Sequence, residues 1–301
     1  MRKFKVLVIG ASGMLGHAVF RLLRQSSGLD VVGTIRNASV LHFFSDAERE
    51  HLVPNVDVLD SDRLVGVFGQ EKPSVVINCA GLVKQLSSVK DPLVALPINS
   101  LFPHRLARLC DIARSRLIHI STDCVFSGKK GSYVEHDPAD ALDVYGRSKH
   151  MGETIDYPHA VTLRTSIIGR ELASTHSLVD WFLSQEQPVS GFSRAVFSGL
   201  PTNELARVIR DVVLPRTDLN GLYHVSSSPI SKLNLLRLIA DAYGKTIEIR
   251  SVDKPAIDRS LDSSLFRSVT GYTAPDWHQL ITQMHYFDTE GGNRCSTEKR
   301  L

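Results

Sequence analysis

The feature that most constrains the fold lies near the N-terminus, where the apolar run KVLVIG (5–10) leads directly into the glycine-rich sequence GASGMLG (10–16). Residues 15–25 then have the apolar spacing of an amphipathic helix. A strand, a glycine-rich turn and a helix in this order can seat a pyrophosphate, because the N–H groups and the dipole of the helix N-terminus attract anions. A glycine-rich turn without a ligand is the alternative. We predict a dinucleotide site whose contacts are Gly10, Ser12, Gly13, Met14, Leu15 and Gly16.

Further apolar runs alternate with amphipathic stretches along the first half of the chain. The runs lie at 30–35, 74–81, 116–122 and 161–169, and the helical spacing at 62–70 and 103–114. Continuous apolar runs are typical of strands in a parallel sheet that helices cover on both faces. The sequence therefore predicts an α/β fold with a doubly wound parallel sheet of the Rossmann type and a smaller C-terminal lobe.

The regular alternation of predicted strands and helices ends at about residue 170. Helices are predicted at 177–185, from Asn203 to Val213, from about Ser231 and from about Pro275, and strands at 221–225 and 246–252. We assign 1–168 to an NAD(P)-binding domain, to which about 195–225 return, and 169–290 mainly to a substrate-binding lobe. The last residues, 291–301, are predicted to be a disordered tail.

Composition narrows the class of protein. The chain has 301 residues, 43% of them hydrophobic and 22% charged, as in ordinary globular proteins. The net charge of +3 and the lack of a basic run with interleaved aromatics argue against a nucleic-acid partner. No apolar run approaches the roughly 18 residues of a membrane span. The four cysteines and twelve histidines form no CxxC, HExxH or mixed cluster, so we expect no metal, reduced thiols and a cytoplasmic location.

The end of the second predicted strand, GTIRN, bears on the choice of cofactor. An NAD site usually has an acid there for the adenosine ribose, but this stretch has no acid and contains Arg36. An arginine can pair with a 2′-phosphate through its planar guanidinium. We therefore predict NADPH rather than NADH, with a solvated surface arginine as the alternative.

A threonine, a tyrosine and a lysine form the candidate catalytic group. Thr122 ends the predicted strand 116–122, Tyr145 follows 23 positions later, and Lys149 lies at i+4 on the same helix face. Tyr145 could protonate a carbonyl oxygen while hydride reaches its carbon, and the Thr122 hydroxyl could polarise that carbonyl. We expect the Lys149 ammonium to lower the pKa of Tyr145 and to bind the nicotinamide ribose. Packing and surface roles for the three residues are the alternatives.

Several motifs resemble those of the short-chain dehydrogenase/reductase superfamily, especially its extended branch. The glycine spacing is GxxGxxG, and Asn78-Cys79-Ala80-Gly81 resembles its NAG motif. The sequences STDCVFSG (121–128) and YGRSKHMGE (145–153) are similar to STDYVF and YGxTKxxGE of the dTDP-4-dehydrorhamnose reductase (RmlD-like) family. LRTS (163–166), LPT (200–202) and GLYHV (221–225) follow in that family's order, so the resemblance covers about residues 4–285.

The resemblance implies a function and a set of site residues. The function is NAD(P)H-dependent reduction of the 4-keto group of a nucleotide-activated 6-deoxyhexose, a step toward surface polysaccharide, in a chain that could form a homodimer. The catalytic residues would be Thr122, Tyr145 and Lys149. Further cofactor contacts would be Asp57, Val58, Cys79, Ala80, Gly81 and Asn99. Substrate contacts would be Val83, Lys84, Gln85, Asp123, Ile167 and Arg259.

The chain also departs from the family pattern. Ile167 replaces an aromatic residue that helps to hold the sugar, and Ala18 stands near the position of an acid that bridges some dimers through magnesium. The loop LVKQLSS (82–88) replaces a run with histidine and aspartate. The sugar, the nucleotide and the mode of dimerisation therefore stay open.

Three other functions are weighed against a reductase. Cys124 takes the place of the glutamate that related 4,6-dehydratases need, which argues against dehydration. Epimerases share the tyrosine and the lysine, although the arginine at the second strand argues mildly against a tightly held NAD. Some RmlD-like chains instead bind NADP(H) as regulatory subunits, as in methionine adenosyltransferase.

Overall fold

The computed structural model describes residues 4–82, 84 and 87–291. The strands are β1 (Phe4–Ile9), β2 (Leu29–Thr34), β3 (Leu52–Val53), β4 (Val75–Asn78), β5 (Arg116–Thr122), β6 (Ala160–Thr165), β7 (Ile167–Ile168), β8 (Val189–Phe192), β9 (Ala195–Phe197), β10 (Leu200–Pro201), β11 (Gly221–His224), β12 (Ile230–Ser231), β13 (Ile249–Val252) and β14 (Ile257–Asp258). The α-helices are α1 (Met14–Arg24), α2 (Asp46–Arg49), α3 (Ser61–Glu71), α4 (Pro92–Ala95), α5 (Phe102–Ile112), α6 (Val144–Met151), α7 (Leu178–Ser184), α8 (Thr202–Val208), α9 (Lys232–Tyr243), α10 (Ser264–Thr270) and α11 (Trp277–Tyr286).

The central sheet has seven parallel strands in the order β3-β2-β1-β4-β5-β6-β11. The chain winds outward from β1 to β3, returns to β4 beside β1, and continues outward in the other direction. The carboxyl ends of β1 and β4 therefore flank a topological switch point, where open α/β sheets bind ligands. This architecture confirms the predicted doubly wound fold.

Both faces of the sheet are covered, as the continuous apolar runs predict. On β1, Val6 and Val8 face one hydrophobic cluster with α1 and α8, whereas Leu7 and Ile9 face a second cluster with α3 and α5. All four side chains are fully buried. The alternation of the strand between two cores explains why residues 6–9 are all apolar.

Two predicted strands end earlier than their apolar runs. In 74–81 the strand stops at Asn78, whose side chain accepts a hydrogen bond from the Ala80 amide at 3.1 Å and turns the chain. In 161–169 the strand breaks after Thr165, because the Ser166 carbonyl turns away from β5 to accept the Leu200 amide at 2.8 Å. Both breaks lie at the carboxyl edge of the sheet.

The chain beyond β7 builds small sheets and returns once to the large one. These sheets pair β10 with β7, β13 with β8, and β12 and β14 with β9, while β11 joins the central sheet beside β6. The division into a cofactor domain (1–168) and a substrate lobe (169–290) is a proposal that agrees with this order. Most of the predicted tail, 292–301, lies outside the described residues. No described helix combines the length and apolarity needed to cross a membrane.

Candidate active site

The glycine loop between β1 and α1 is shaped by backbone contacts that leave no room for side chains. Gly10 has φ of +81°, and a Cβ there would lie 3.1 Å from the Ala80 Cα. A Cβ on Gly16 would lie 1.9 Å from the Gly10 carbonyl oxygen. These two glycines therefore let the loop fold tightly against the start of α1 and the end of β4.

The start of α1 meets the requirements of a pyrophosphate site. Its N-cap, Gly13, provides no side-chain hydrogen bond, and no acidic residue stands in the first turn. Gly13 is exposed, Ser12 and Met14 are half-buried, and Leu15 lies in the core, where its backbone but not its side chain remains available to a ligand. Because the helix N-terminus and its amides face this surface without a competing anion, the predicted loop fits the phosphates of a dinucleotide.

The residues predicted to bind the adenosine end follow β2 and β3. The Thr34 carbonyl accepts the Ala11 amide at 2.8 Å, which puts the end of β2 beside the glycine loop. Arg36 lies two positions further, exposed and without a hydrogen bond or ion pair among the described residues. Asp57 is exposed and Val58 half-buried at the same edge of the sheet.

The NCAG stretch and Asn99 form the other wall of the crevice. The Cys79 amide donates to the Ile9 carbonyl at 3.1 Å, and Gly81 is exposed with its Cβ position 3.8 Å from the Lys149 Nζ. Asn99 is buried: its Oδ1 accepts the Leu82 amide at 2.9 Å and its Nδ2 donates to the Ser148 hydroxyl at 3.2 Å. Its side chain thus ties the loop after β4 to α6.

The structure brings the three candidate catalytic residues together. Thr122 is the last residue of β5, and Tyr145 and Lys149 lie on α6, where the Tyr145 phenol lies beside Thr122. The Thr122 hydroxyl itself donates to Asp123 Oδ1 at 3.2 Å. The Lys149 ammonium donates to the Ile120 carbonyl at 2.8 Å. Gly146 makes this approach feasible, since a Cβ there would lie 2.2 Å from the Cys124 carbonyl oxygen.

The expected lowering of the pKa of Tyr145 was wrong. Burial raises the pKa of Tyr145, and the neighbouring Cys124 adds to this, while the Thr122 hydroxyl opposes it. Lys149 does not counteract the shift, because its Nζ is directed to the Ile120 carbonyl. Burial lowers the pKa of Lys149 to about 8, against the opposing charge of Glu153. The phenol therefore keeps its proton at neutral pH, as a proton donor must.

Four of the predicted substrate residues surround this group. Asp123 is buried beside Thr122, and burial raises the pKa of its carboxyl although the charge of Arg259 opposes this. Arg259 anchors its Nε on the Phe126 carbonyl at 2.8 Å. Ile167 is half-buried in β7, two positions after the residue that pairs with Thr122.

Lys84 reaches the catalytic helix from the opposite side. Its Nζ lies 2.7 Å from Asp143 Oδ2, and Asp143 caps α6 by accepting the Gly146 amide at 2.8 Å. The charged pair thus stands next to Tyr145. Val83 and Gln85 lie outside the described residues.

A buried ion pair behind this group was missed by the sequence analysis. Glu153 accepts two hydrogen bonds from Arg164, both at 2.7 Å, and one from the Ser121 hydroxyl at 2.8 Å. Burial alone would raise the pKa of Glu153, but these donors hold it at about 2. The signal was present, because Glu153 ends the motif YGRSKHMGE and Arg164 belongs to LRTS.

Comparison with known proteins defines the class and then the family. The fold is that of an extended short-chain dehydrogenase/reductase. The model of the RmlD substrate binding domain family matches residues 4–285, so the chain belongs to this family. Within the described residues no group of three or more metal-binding side chains occurs, and Ala18 is buried in the core.

Relatives with assigned names cover different parts of the chain. The probable low-salt glycan biosynthesis reductase Agl14 of Haloferax volcanii is 34% identical over 57% of this chain, and the match spans 56%, about half, of that relative's length. The methionine adenosyltransferase 2 subunit beta of Danio rerio is 29% identical, over 79% of this chain and 74% of its own. The dTDP-4-dehydrorhamnose reductase of Aggregatibacter actinomycetemcomitans is 26% identical, over 94% and 99%.

One solved structure supports the fold. The dTDP-4-dehydrorhamnose reductase of Bacillus anthracis in complex with NADP superimposes with a TM-score of 0.77, covering 94% of this chain and 99% of that one at 20% identity.

Proposed function

We propose that the protein is an NAD(P)H-dependent reductase that acts on the 4-keto group of a nucleotide-activated 6-deoxyhexose. The observation that carries the proposal is the meeting of Thr122, Tyr145 and Lys149 at the sheet edge that also holds the glycine loop. These residues supply proton delivery and carbonyl polarisation where a nicotinamide cofactor would lie. Family membership and relatives named as reductases support the same reaction class.

The residues divide the reaction between them. The nicotinamide cofactor supplies hydride to the carbonyl carbon. The Tyr145 phenol donates its proton to the carbonyl oxygen as negative charge develops there. The Thr122 hydroxyl gives that oxygen a second hydrogen bond. Lys149 would bind the ribose hydroxyls of the cofactor.

The function is tested by NADPH oxidation with a panel of dTDP- and UDP-linked 4-keto-6-deoxy sugars, with the products identified by NMR. We expect turnover with at least one substrate of the panel and a product reduced at C4. Each sugar nucleotide without the keto group serves as a matched blank. If no substrate consumes NADPH although the cofactor binds, the reductase assignment is wrong.

The choice of NADPH over NADH is assigned to Arg36. It is exposed next to the glycine loop and has no partner among the described residues, so it is available to a 2′-phosphate. We expect Arg36→Ala to weaken NADPH binding about 10-fold or more and NADH binding less than 2-fold, in line with the loss of a charge-assisted contact. Arg108→Ala, an exposed arginine on α5, is the control. Equal losses for both cofactors would refute the assignment.

A regulatory subunit is the second candidate, favoured by the similarity to the subunit beta of methionine adenosyltransferase 2. In that case the chain would bind NADPH, leave it unoxidised with the whole substrate panel and co-purify with a second protein. An epimerase would instead interconvert its substrate without net consumption of NADPH.

The proposal includes the cellular compartment, the partners and the oligomeric state of the protein. Cys79, Cys110 and Cys124 are free thiols, which fits a reducing, cytoplasmic compartment. A nucleotide sugar is the proposed small-molecule partner, without nucleic acid or membrane, and a homodimer is part of the proposal that size-exclusion chromatography with light scattering would test.

A further inference from the structure

Three consecutive residues of β5 each lie against a different residue of the segment 145–153, which contains most of α6. The Ile120 carbonyl accepts the Lys149 ammonium at 2.8 Å, the Ser121 hydroxyl donates to Glu153 Oε1 at 2.8 Å, and Thr122 lies beside Tyr145. The first and third contacts belong to the catalytic group. The middle one therefore fixes the spacing between the strand end and the catalytic helix.

Glu153 makes several polar contacts besides the hydrogen bond that it accepts from Ser121. Its side chain and that of Arg164 are only 1% and 3% exposed, and Arg164 donates to both of its oxygens at 2.7 Å. Arg164 stands on β6 directly opposite Ser121. His150, at the end of α6, lies 3.0 Å from Glu153 Oε2. The carboxylate thus joins two strands and the end of the catalytic helix.

The groups that face Lys149 leave one anion near it. Burial raises the pKa of Cys79, directly after β4, to about 12, so this thiol is neutral. His119 on β5 is also neutral, because burial and the charge of Lys149 hold its pKa well below the usual value. Among the described residues, Glu153 is then the charged group that opposes the desolvation of Lys149.

The groups that face Glu153 do not neutralise the negative charge of its carboxylate. Arg164 and the neighbouring His150 and Ser121 donate to the carboxylate and hold it ionised. His224 on β11 also faces the pair, but burial lowers its pKa to about 4, so it adds no charge at neutral pH. The carboxylate therefore stays negative across the range in which Lys149 titrates.

We propose that Glu153 is a positioning residue: it holds the end of β5 in register with the catalytic helix and keeps the Lys149 ammonium charged when the site binds its cofactor. The inference rests on the proposed function only for the binding of NADPH, not for the sugar. Glu153 acts through Lys149 and Ser121 and touches neither substrate nor cofactor.

The test follows NADPH affinity from pH 6 to pH 9 by cofactor fluorescence. In the wild type we expect the affinity to fall as Lys149 loses its proton, above about pH 8. In Glu153→Gln we expect the fall to begin at least one pH unit lower, so that affinity is about 5-fold or more below wild type at pH 8 but within about 3-fold at pH 6. Glu186→Gln, at an exposed position, is the control.

A double variant separates charge from folding. Glu153→Gln alone leaves the buried Arg164 without its partner and should lower the melting temperature. Glu153→Gln with Arg164→Gln removes both charges, so we expect the melting temperature to recover in part while the pH shift persists. A wild-type pH profile in the double variant would overturn the proposal, since the pair would then act on stability alone.

A variant of Lys149 tests whether the pH dependence of NADPH affinity belongs to this lysine. Lys149→Met should bind NADPH weakly at every pH, without the fall above pH 8. A fall of wild-type size in this variant would show that the titration does not belong to Lys149 and would also overturn the proposal. None of these readouts needs a sugar substrate, so failure of the substrate panel and failure of this inference remain distinguishable.

Discussion

Tyr145→Phe should reduce turnover about 10³-fold while NADPH affinity stays within about 2-fold of wild type, the loss expected for a removed general acid. The phenol lies beside Thr122 at the end of β5, and burial raises its pKa, so it holds a proton that it can deliver. Phenylalanine keeps the ring in place and removes the only atom that carries this proton. The effect should therefore appear in kcat rather than in cofactor binding.

The measurement is steady-state NADPH oxidation on the preferred sugar of the panel, with NADPH affinity determined separately. Tyr286→Phe, a half-exposed tyrosine on α11, provides the matched control and should keep full activity. A residual rate above about one tenth in Tyr145→Phe would mean that another group or water delivers the proton, because such a small effect lies below the range of general acid catalysis.

The convergence of the site could be predicted because it follows from topology. In a parallel sheet every strand ends at the same edge, so the glycine loop after β1, Asn78 at the end of β4 and Thr122 at the end of β5 had to meet there. The i and i+4 positions of Tyr145 and Lys149 then needed only one helix across that edge. Each of these steps depends on local pattern and chain order.

The electrostatics of the site could not be predicted in the same way. The sign of the shift at Tyr145 depends on how much water the fold removes from the phenol and on where the Lys149 ammonium points. The contact of Glu153 with Ser121 depends on the register between β5 and β6, which joins residues far apart in the chain. A motif names such residues but does not say which atoms they meet.

The same limit applies to Asn99. A cofactor contact was predicted from the resemblance, and the role stays a prediction, but the structure uses both polar atoms of the amide to join the loop after β4 to α6. Asn99 lies within a π-helical turn, Leu96–Leu101, and its side chain is buried. Irregular helical turns of this kind leave no clear mark in apolar periodicity.

Among glycine-to-alanine substitutions in the cofactor site, Gly16→Ala should cause the largest loss of stability and of NADPH binding. The added Cβ would lie 1.9 Å from the Gly10 carbonyl oxygen, a backbone atom that cannot rotate away. To relieve this contact the glycine loop must move off α1, and the amides that face the pyrophosphate move with it. We expect a loss of about 1–3 kcal/mol in the free energy of unfolding, the range for overpacked sites, and no measurable NADPH binding.

Alanine substitutions at two other glycines distinguish the loss of folding stability from the loss of NADPH binding. A Cβ on Gly13 would lie 3.4 Å from the Gly10 carbonyl oxygen, so Gly13→Ala should fold normally and weaken NADPH binding only by crowding the ligand. A Cβ on Gly66, in the middle of α3, meets nothing within 4 Å, and Gly66→Ala should stabilise the protein by up to about 1 kcal/mol. Urea unfolding and NADPH titration measure both effects. If Gly16→Ala unfolds like the wild type and binds NADPH, the tight turn is not what forms the phosphate site.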